Sequence, residues 1–231
     1  MNISSKDCEN YTAILQPPPT GSRINPDSIV GCPNWVATSI LAIYSLRDWK
    51  AQAELTGPLS VWELSEKAST IRRTLKAGLE ETIQAMEGRG SVESLLQSGN
   101  LGDDPQYEKQ LLAVVFARSA LILLNVVVSG AHPSLGEIEQ EVVAIIGTLK
   151  SIPDPPLMRF LAWPICITGC MALEEHYSFF TGLQQQFETP ALGNVIKVIR
   201  RCWSLRELNT SPRGIDWSDA LSSLRLNLLF F

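Results

Sequence analysis

Two cysteines and a glutamate recur every four residues in one apolar segment of the sequence. Cys166, Cys170 and Glu174 would share one face of a helix, because side chains four apart lie one turn above another. A structural zinc site needs four ligands, and the five cysteines of the chain show no CxxC pair. We therefore predict buried packing thiols and no metal; a reactive thiolate would need a positive charge close by.

The chain has two histidines, His132 and His176, and either could in principle act as a base. His132 stands in the turn-like stretch G-A-H-P-S, which is typical of a loop, whereas His176 follows two glutamates on an apolar segment. The sequence has no G-x-S-x-G elbow or other nucleophile motif to pair with them. His176 and Arg118 are the weak candidates for catalytic residues.

Arg118 and Asn125 interrupt the most apolar run of the chain, residues 111–128. They are seven apart and so share a helix face, where a buried charge is costly unless it is paired. Arg118 should therefore either meet a carboxylate or face a polar cavity. In the second case Arg118 and Asn125 would anchor a small molecule, with Trp163 and Tyr177 as aromatic walls of the pocket.

Charge and motifs exclude several classes of function. The net charge is −5, and the basic stripe of Lys197, Arg200 and Arg201 is typical of a solvated helix face, so we predict no direct nucleic-acid binding. The sequence has no P-loop, G-x-G-x-x-G, H-E-x-x-H or EF-hand loop. We therefore expect no cofactor.

The N-terminal part of the chain changes character near residue 30. Residues 1–30 are rich in Pro, Ser, Asn and Gly and should form a flexible lead-in, without the apolar stretch of a secretory signal. From Asn34, a plausible N-cap, apolar residues at spacings of three and four predict a helix to about Glu54.

A capping box marks the second helix. Ser60 and Glu63 stand three apart, and an apolar stripe follows as far as Gly88. Residues 88–104 contain four glycines and predict a long loop.

The third helix should be the core of the fold. Asp104 and Pro105 supply an N-cap and a first-turn proline for a helix to about Ser129. Its apolar run approaches membrane length, but the central Arg118 would cost about 2.5–3.5 kcal/mol on insertion scales. We therefore predict a core helix and no membrane span.

Further helices follow in the C-terminal half. Ser134 and Glu137 repeat the capping box ahead of a helix to about Pro153, Thr189 and Pro190 begin another, and Asp216 begins a last short one. Between them, Pro164 lies in the apolar segment 159–180. An interior proline breaks or kinks a helix, so we predict helices over about 156–163 and 164–186, with Gly169 allowing another helix, such as the one holding Arg118, to approach closely.

Strand signals are thin, because no run of four or more alternating β-branched residues is followed by a hairpin turn. We predict an all-α fold: a layered array of six to seven helices in a single domain over residues 31–231, with one proline-kinked helix near Pro164.

Five blocks in this order resemble the fungal-specific transcription factor domain, the helical regulatory region of fungal zinc-cluster transcription factors. The blocks are GCPNWVATSILAIYSLRDWK (31–50), LSVWELSEKASTIRRTL (59–75), FLAWPICITGC (160–170), GNVIKVIRRCWSLRE (193–207) and DWSDAL (216–221). The most specific part is W-P-x-x-x-x-G-C at Trp163, Pro164, Gly169 and Cys170. The resemblance covers roughly residues 30–226 and corresponds to the C-terminal part of that region.

The resemblance implies a regulatory, ligand-binding protein of the nucleus or cytoplasm. The six closely spaced cysteines of the family's DNA-binding module are absent, and the opening MNISSKD favours a complete short protein. The expected partner is a small apolar metabolite or a transcription factor, with a homodimer as a further possibility. The alternative is a cofactor-free cyclase, isomerase or dehydratase of fungal secondary metabolism, acting on an apolar polyketide or terpenoid-like substrate.

Overall fold

A computed structural model describes residues 32–88, 105–152, 155–186, 190–208 and 212–226, and these ranges form an all-α single domain, as predicted. The predictions of a flexible segment over 1–30, of a loop over 88–104 apart from Gly88, and of N-caps at Asp104 and Thr189 lie outside the described residues. Eight α-helices are present in the described ranges, against the six to seven predicted. They are α1 Asn34–Thr56, α2 Val61–Glu87, α3 Pro105–Ser129, α4 Gly136–Lys150, α5 Ala162–Cys170, α6 Tyr177–Gln186, α7 Pro190–Leu208 and α8 Trp217–Leu224.

Helix α3 is the centre of the array, as its apolar sequence predicted. It packs on α1, α2, α4 and α5, while α7 packs on α5 and on α8. Among the described residues it is the one helix long and apolar enough to cross a membrane, yet 89% of its apolar window is buried inside the fold. Such burial is what a helix apolar on every side needs in a globular protein.

Two of the predicted N-caps are present. The Ser60 hydroxyl accepts a hydrogen bond of 3.2 Å from the backbone N–H of Glu63 at the start of α2. The Asp216 carboxylate accepts from the N–H groups of Ser218 and Asp219, and the Asp219 side chain accepts from the N–H of Asp216. The second arrangement is a complete capping box, which satisfies donors that the first turn of α8 would leave free.

Two other predicted caps are wrong. Helix α1 already includes Asn34, and its N-cap is Pro33, which makes no side-chain cap. Helix α4 is preceded by Leu135, and Ser134 lies one residue too early to cap it. The turn before α4 is closed by backbone hydrogen bonds, among them one from the Leu135 N–H to the His132 carbonyl.

The segment around Pro164 changes helix type, and the change comes before the proline. A 3-10 helix, Pro155–Leu161, passes directly into α5, of which Pro164 is the third residue. In the first turn of an α-helix the backbone N–H has no intrahelical acceptor, so the proline removes no hydrogen bond of α5. Pro164 is thus compatible with the start of α5 and does not kink its interior.

The predicted helix over 164–186 is wrong in length. Helix α5 ends at Cys170, and a separate 3-10 turn, Glu174–His176, precedes α6. At this end a tertiary contact that periodicity does not show is present: the last carbonyl of α5, that of Cys170, accepts a hydrogen bond from the Arg206 guanidinium of α7.

Gly169 does permit a close helix approach, but the partner is α7 and not α3. A Cβ atom on Gly169 would lie 2.5 Å from Cδ1 of Ile199 and 3.1 Å from Cδ1 of Phe180. The missing side chain therefore lets Ile199 reach the backbone of α5 and brings α7 against it.

Candidate functional site

Arg118, the first residue predicted for a pocket, meets a carboxylate. Its Nη1 lies 2.7 Å from Oε2 of Glu141, and the two side chains are 21% and 17% exposed. The Nε atom of Arg118 is buried and has no hydrogen-bond partner. The pair joins α3 to α4, which is the structural alternative of the two that the sequence left open.

Asn125 bonds to a different helix. Its Oδ1 accepts a hydrogen bond of 2.9 Å from Nη2 of Arg72, so it ties α3 to α2. Arg118 and Asn125 therefore each serve a separate helix contact.

The two aromatic residues predicted for the pocket, Trp163 and Tyr177, also stack on different partners. Trp163 is 2% exposed and stacks on Phe116, with ring centroids 5.9 Å apart and planes at 10°. Tyr177 stacks on Trp203 at 3.6 Å and 9°, and burial raises the pKa of its hydroxyl. None of these contacts joins two of the four residues predicted to hold a ligand.

Among the described residues, the side chain of His176, the candidate base, contacts an acid and not a nucleophile. Its Nε2 lies 3.3 Å from Oε1 of Glu175, yet the geometry is not that of a hydrogen bond. The arrangement orients no hydroxyl or thiol for attack.

The thiols are buried, as predicted, at Cys32, Cys166, Cys170 and Cys202. The pKa of Cys170 is raised chiefly by burial, and that of Cys202 by its hydrogen bond with the Cys170 thiol and then by burial. Both groups therefore stay protonated and weakly nucleophilic. Within the described ranges no three His, Cys, Asp or Glu side chains are grouped so that they could hold a metal ion.

Arg206 was missed by the sequence reasoning. Its Nη2 donates to the carbonyls of Cys170 and Ile215, the latter at 3.2 Å, and lies 3.3 Å from Sγ of Cys202. One guanidinium thus holds the end of α5, helix α7 and the segment before α8. The sequence signal that could have found it is that Arg206 follows Cys202 by one helical turn, shortly before α7 ends at Leu208.

A surface groove between α1 and α2 is a concave feature of the described residues that could receive a partner. It has a volume of about 440 Å³ and is open to solvent. Among the described residues its walls carry apolar and short polar side chains and a single charge; these lining residues are Thr38, Ala42, Ser45, Leu46, Trp49, Lys67 and Ile71. We call it the α1–α2 groove.

One side of the groove is a regular stripe along α1. Thr38, Ala42, Ser45 and Trp49 are spaced four, three and four, so they lie on one face of the helix. The stripe carries no charge, and an exposed surface without charges is typical of an interface core. The spacing is visible in the sequence, beside the more apolar, buried face of the same helix.

The other side of the groove belongs to α2. Nζ of Lys67 stands 5.0 Å above the Trp49 ring and 3.5 Å from Oε1 of Glu63. The two helices are held together further along, where the Trp35 ring packs so closely on Gly78 that a Cβ there would lie 2.7 Å from it. The groove therefore lies on a closely packed helical hairpin.

The turn of the same hairpin exposes three large apolar side chains. Leu55, Val61 and Trp62 are 79%, 74% and 80% exposed. They add exposed apolar surface at this end of the hairpin.

Comparison with known proteins gives several similar chains, all named as transcriptional regulators. Transcription factor ntnD of Nectria sp is 32% identical over 204 residues, which are 86% of this chain and 33% of that protein. The trichothecene biosynthesis transcription regulator TRI10 of Trichoderma arundinaceum is 34% identical over 80% of this chain and 38% of its own length. The ustiloxin B cluster transcription factor ustR of Aspergillus flavus is 30% identical over 87% and 35%.

This chain thus spans about a third of the length of these relatives. No solved structure matches it. The family model described as the fungal specific transcription factor domain matches residues 4–231, which is nearly the whole chain. The resemblance found in the five sequence blocks is therefore confirmed, and the chain belongs to the fungal specific transcription factor domain family.

Proposed function

We propose that this chain is a regulatory domain that controls transcription of a secondary-metabolite gene cluster by binding a partner in the α1–α2 groove. The regulatory role is supported by the relatives, which are named as regulators of trichothecene biosynthesis and of the ustiloxin B cluster. Such a role places its action in the nucleus.

The α1–α2 groove is the observation that supports binding of a partner as the mode of action. It is a concave, charge-poor surface, whereas Arg118, Asn125, Trp163 and Tyr177 are each engaged in contacts between elements of the fold. Binding at a surface of this kind needs no catalytic group. It changes function by favouring the bound arrangement of the domain or of its partner.

The catalytic alternative gains no support from the described contacts. Arg118 is committed to Glu141 by a charge-assisted hydrogen bond, and His176 lies beside Glu175. A catalytic Arg118 would have to leave that carboxylate, which would leave a buried charge unpaired.

Deleting the gene and measuring both transcripts and metabolites would distinguish the regulatory function from the catalytic one. A regulator should change the transcripts of several genes of one cluster, and the metabolite should change in consequence. Loss of one metabolic step with accumulation of its substrate, and with all cluster transcripts at the level of the parent strain, would show an enzyme and refute the proposal.

A further inference from the structure

We propose that the occupant of the α1–α2 groove is an amphipathic α-helix of a partner protein that carries a carboxylate opposite Lys67. This inference rests on the proposed function, because it names the class of partner for the same groove. It follows from the length, the depth and the charge of the groove.

The length of the groove fits about three turns of helix. Thr38 and Trp49 mark its ends on α1 and are eleven residues apart, which corresponds to about 16 Å along the helix axis at 1.5 Å per residue. An amphipathic helix laid along such a groove places apolar side chains at i, i+3 or i+4, and i+7 into it.

The depth of the groove also favours a helix. Thr38, Ala42 and Ser45 are short, so a third helix can approach the axis of α1 to the usual spacing of about 8–10 Å. Leu46, Trp49 and Ile71 offer apolar surface beneath it. A small molecule is normally enclosed over about 70–90% of its surface, and an open groove does not provide that.

The charge of the groove selects the partner. Lys67 is the one charged residue among the described residues that line the groove. Its pair with Glu63, in which the side chains are 44% and 50% exposed, contributes little to stability, so Lys67 can turn to a new carboxylate at small cost. The new pair would be shielded from water by the docked helix and would be stronger than the old one.

The same charge disfavours a second copy of this chain as the occupant. A two-fold dimer brings the same patch of both copies together. Each Lys67 would then face a groove whose single lining charge is another Lys67, and like charges repel.

The test uses two synthetic, end-capped peptides of about 15 residues, or about four helical turns, with the same leucine stripe. One carries Glu and the other Lys at the positions flanking the stripe. Both are labelled with fluorescein and titrated with the whole chain by anisotropy. The Glu peptide should bind at least about tenfold more tightly than the Lys peptide, a difference of about 1.4 kcal/mol.

Two pairs of variants locate the binding. Lys67→Glu should reverse the preference of the chain to the Lys peptide, whereas Lys76→Glu, on the exposed surface of α2 outside the groove, should leave it unchanged. Ser45→Glu should abolish binding of the Glu peptide, and Ala51→Glu, exposed on α1 and also outside the groove, should retain it. Circular dichroism spectra identical to the wild type would show that all four variants are folded.

Binding of neither peptide, equal binding of both, or a preference that survives Lys67→Glu would overturn the acidic-helix assignment. Light scattering of the chain alone tests whether a second copy of the chain is the occupant. A concentration-dependent dimer that Ser45→Glu dissociates would show that a second copy fills the groove. These outcomes concern the occupant alone, because the transcript measurement in the deletion strain tests the regulatory function separately.

Discussion

At the scale of single residues, the contact of Gly169 with Ile199 makes a quantitative prediction. Gly169→Ala should lower the free energy of unfolding by about 1–3 kcal/mol, because the new methyl group overlaps Cδ1 of Ile199 and the packing must shift. Gly147→Ala is the control, since its site in α4 has no neighbour within 4 Å, and it should stabilise the chain by about 0.5–1 kcal/mol. Urea unfolding measures both.

A double variant tests the named contact. Ile199→Val removes the methyl group that Gly169→Ala would meet, so Gly169→Ala with Ile199→Val should cost clearly less than the sum of the two single changes. Additive costs would mean that the destabilisation of Gly169→Ala arises elsewhere.

The ion pair of Arg118 and Glu141 makes a second prediction. Glu141→Ala should cost about 1–3 kcal/mol of stability, because it leaves a largely buried guanidinium without its acceptor. Replacing both residues by apolar ones, Arg118→Met with Glu141→Leu, should recover most of that loss, because neither charge is then buried. Thermal unfolding compares the variants, and a double variant no more stable than Glu141→Ala would count against an electrostatic cause.

The buried thiols predict resistance to alkylation. Cys170 and Cys202 are fully buried, and their surroundings raise the pKa of each thiol, so iodoacetamide should label them only when the chain unfolds. Peptide mass spectrometry across a urea series should show their labelling following the unfolding transition. Rapid labelling of either residue in the absence of urea would contradict the described packing.

At the scale of elements, the N-cap of α8 predicts a pH dependence. Burial, and then the charge of Asp219, raise the pKa of Asp216 in the folded chain above its unfolded value of about 3.9. The folded chain therefore binds this proton more tightly than the unfolded chain. The resulting stabilisation is complete below the unfolded pKa and is lost as the pH rises through the folded pKa.

The Asp216→Asn variant distinguishes the effect of the charge on stability from the effect of the N-cap. Asparagine caps a helix as well as aspartate does but does not ionise, so the stability of the variant relative to the wild type should rise between about pH 4 and about pH 7. Asp216→Ala loses the cap as well, and should be less stable than Asp216→Asn by about 1 kcal/mol at either pH. A difference between Asp216→Asn and wild type that is constant with pH would show that the carboxyl is not perturbed.

The elements show where sequence reasoning succeeds and where it stops. The capping box at Ser60 and the apolar stripe behind it place α2 within a residue of its actual start, because both signals are local. The end of α5 at Cys170 was not predicted, and the donor to its last carbonyl, Arg206, lies thirty-six residues away in the sequence. Ser134 has the spacing of a capping box, but the residue that precedes α4 is Leu135, which makes no side-chain cap.

At the scale of the whole molecule, hydrophobic pattern was sufficient for the fold class and for the central place of α3. It was not sufficient for the site. Arg118 and Asn125 share a helix face, yet one bonds to α4 and the other to α2, and only the packing of three helices decides this. The groove likewise depends on how α1 and α2 cross. Its uncharged stripe on α1, by contrast, is visible in the sequence as residues spaced four, three and four apart.

The most direct test of the groove as the regulatory surface is the level of cluster transcripts in strains that carry single changes in α1. Ser45→Glu, which puts a charge into the groove at an exposed position, should reduce the transcripts to the level of the deletion strain. Ala51→Glu, which adds the same side chain elsewhere on the helix, should leave them at the wild-type level. Wild-type transcripts in the Ser45→Glu strain, with the protein present in normal amount, would contradict the central claim.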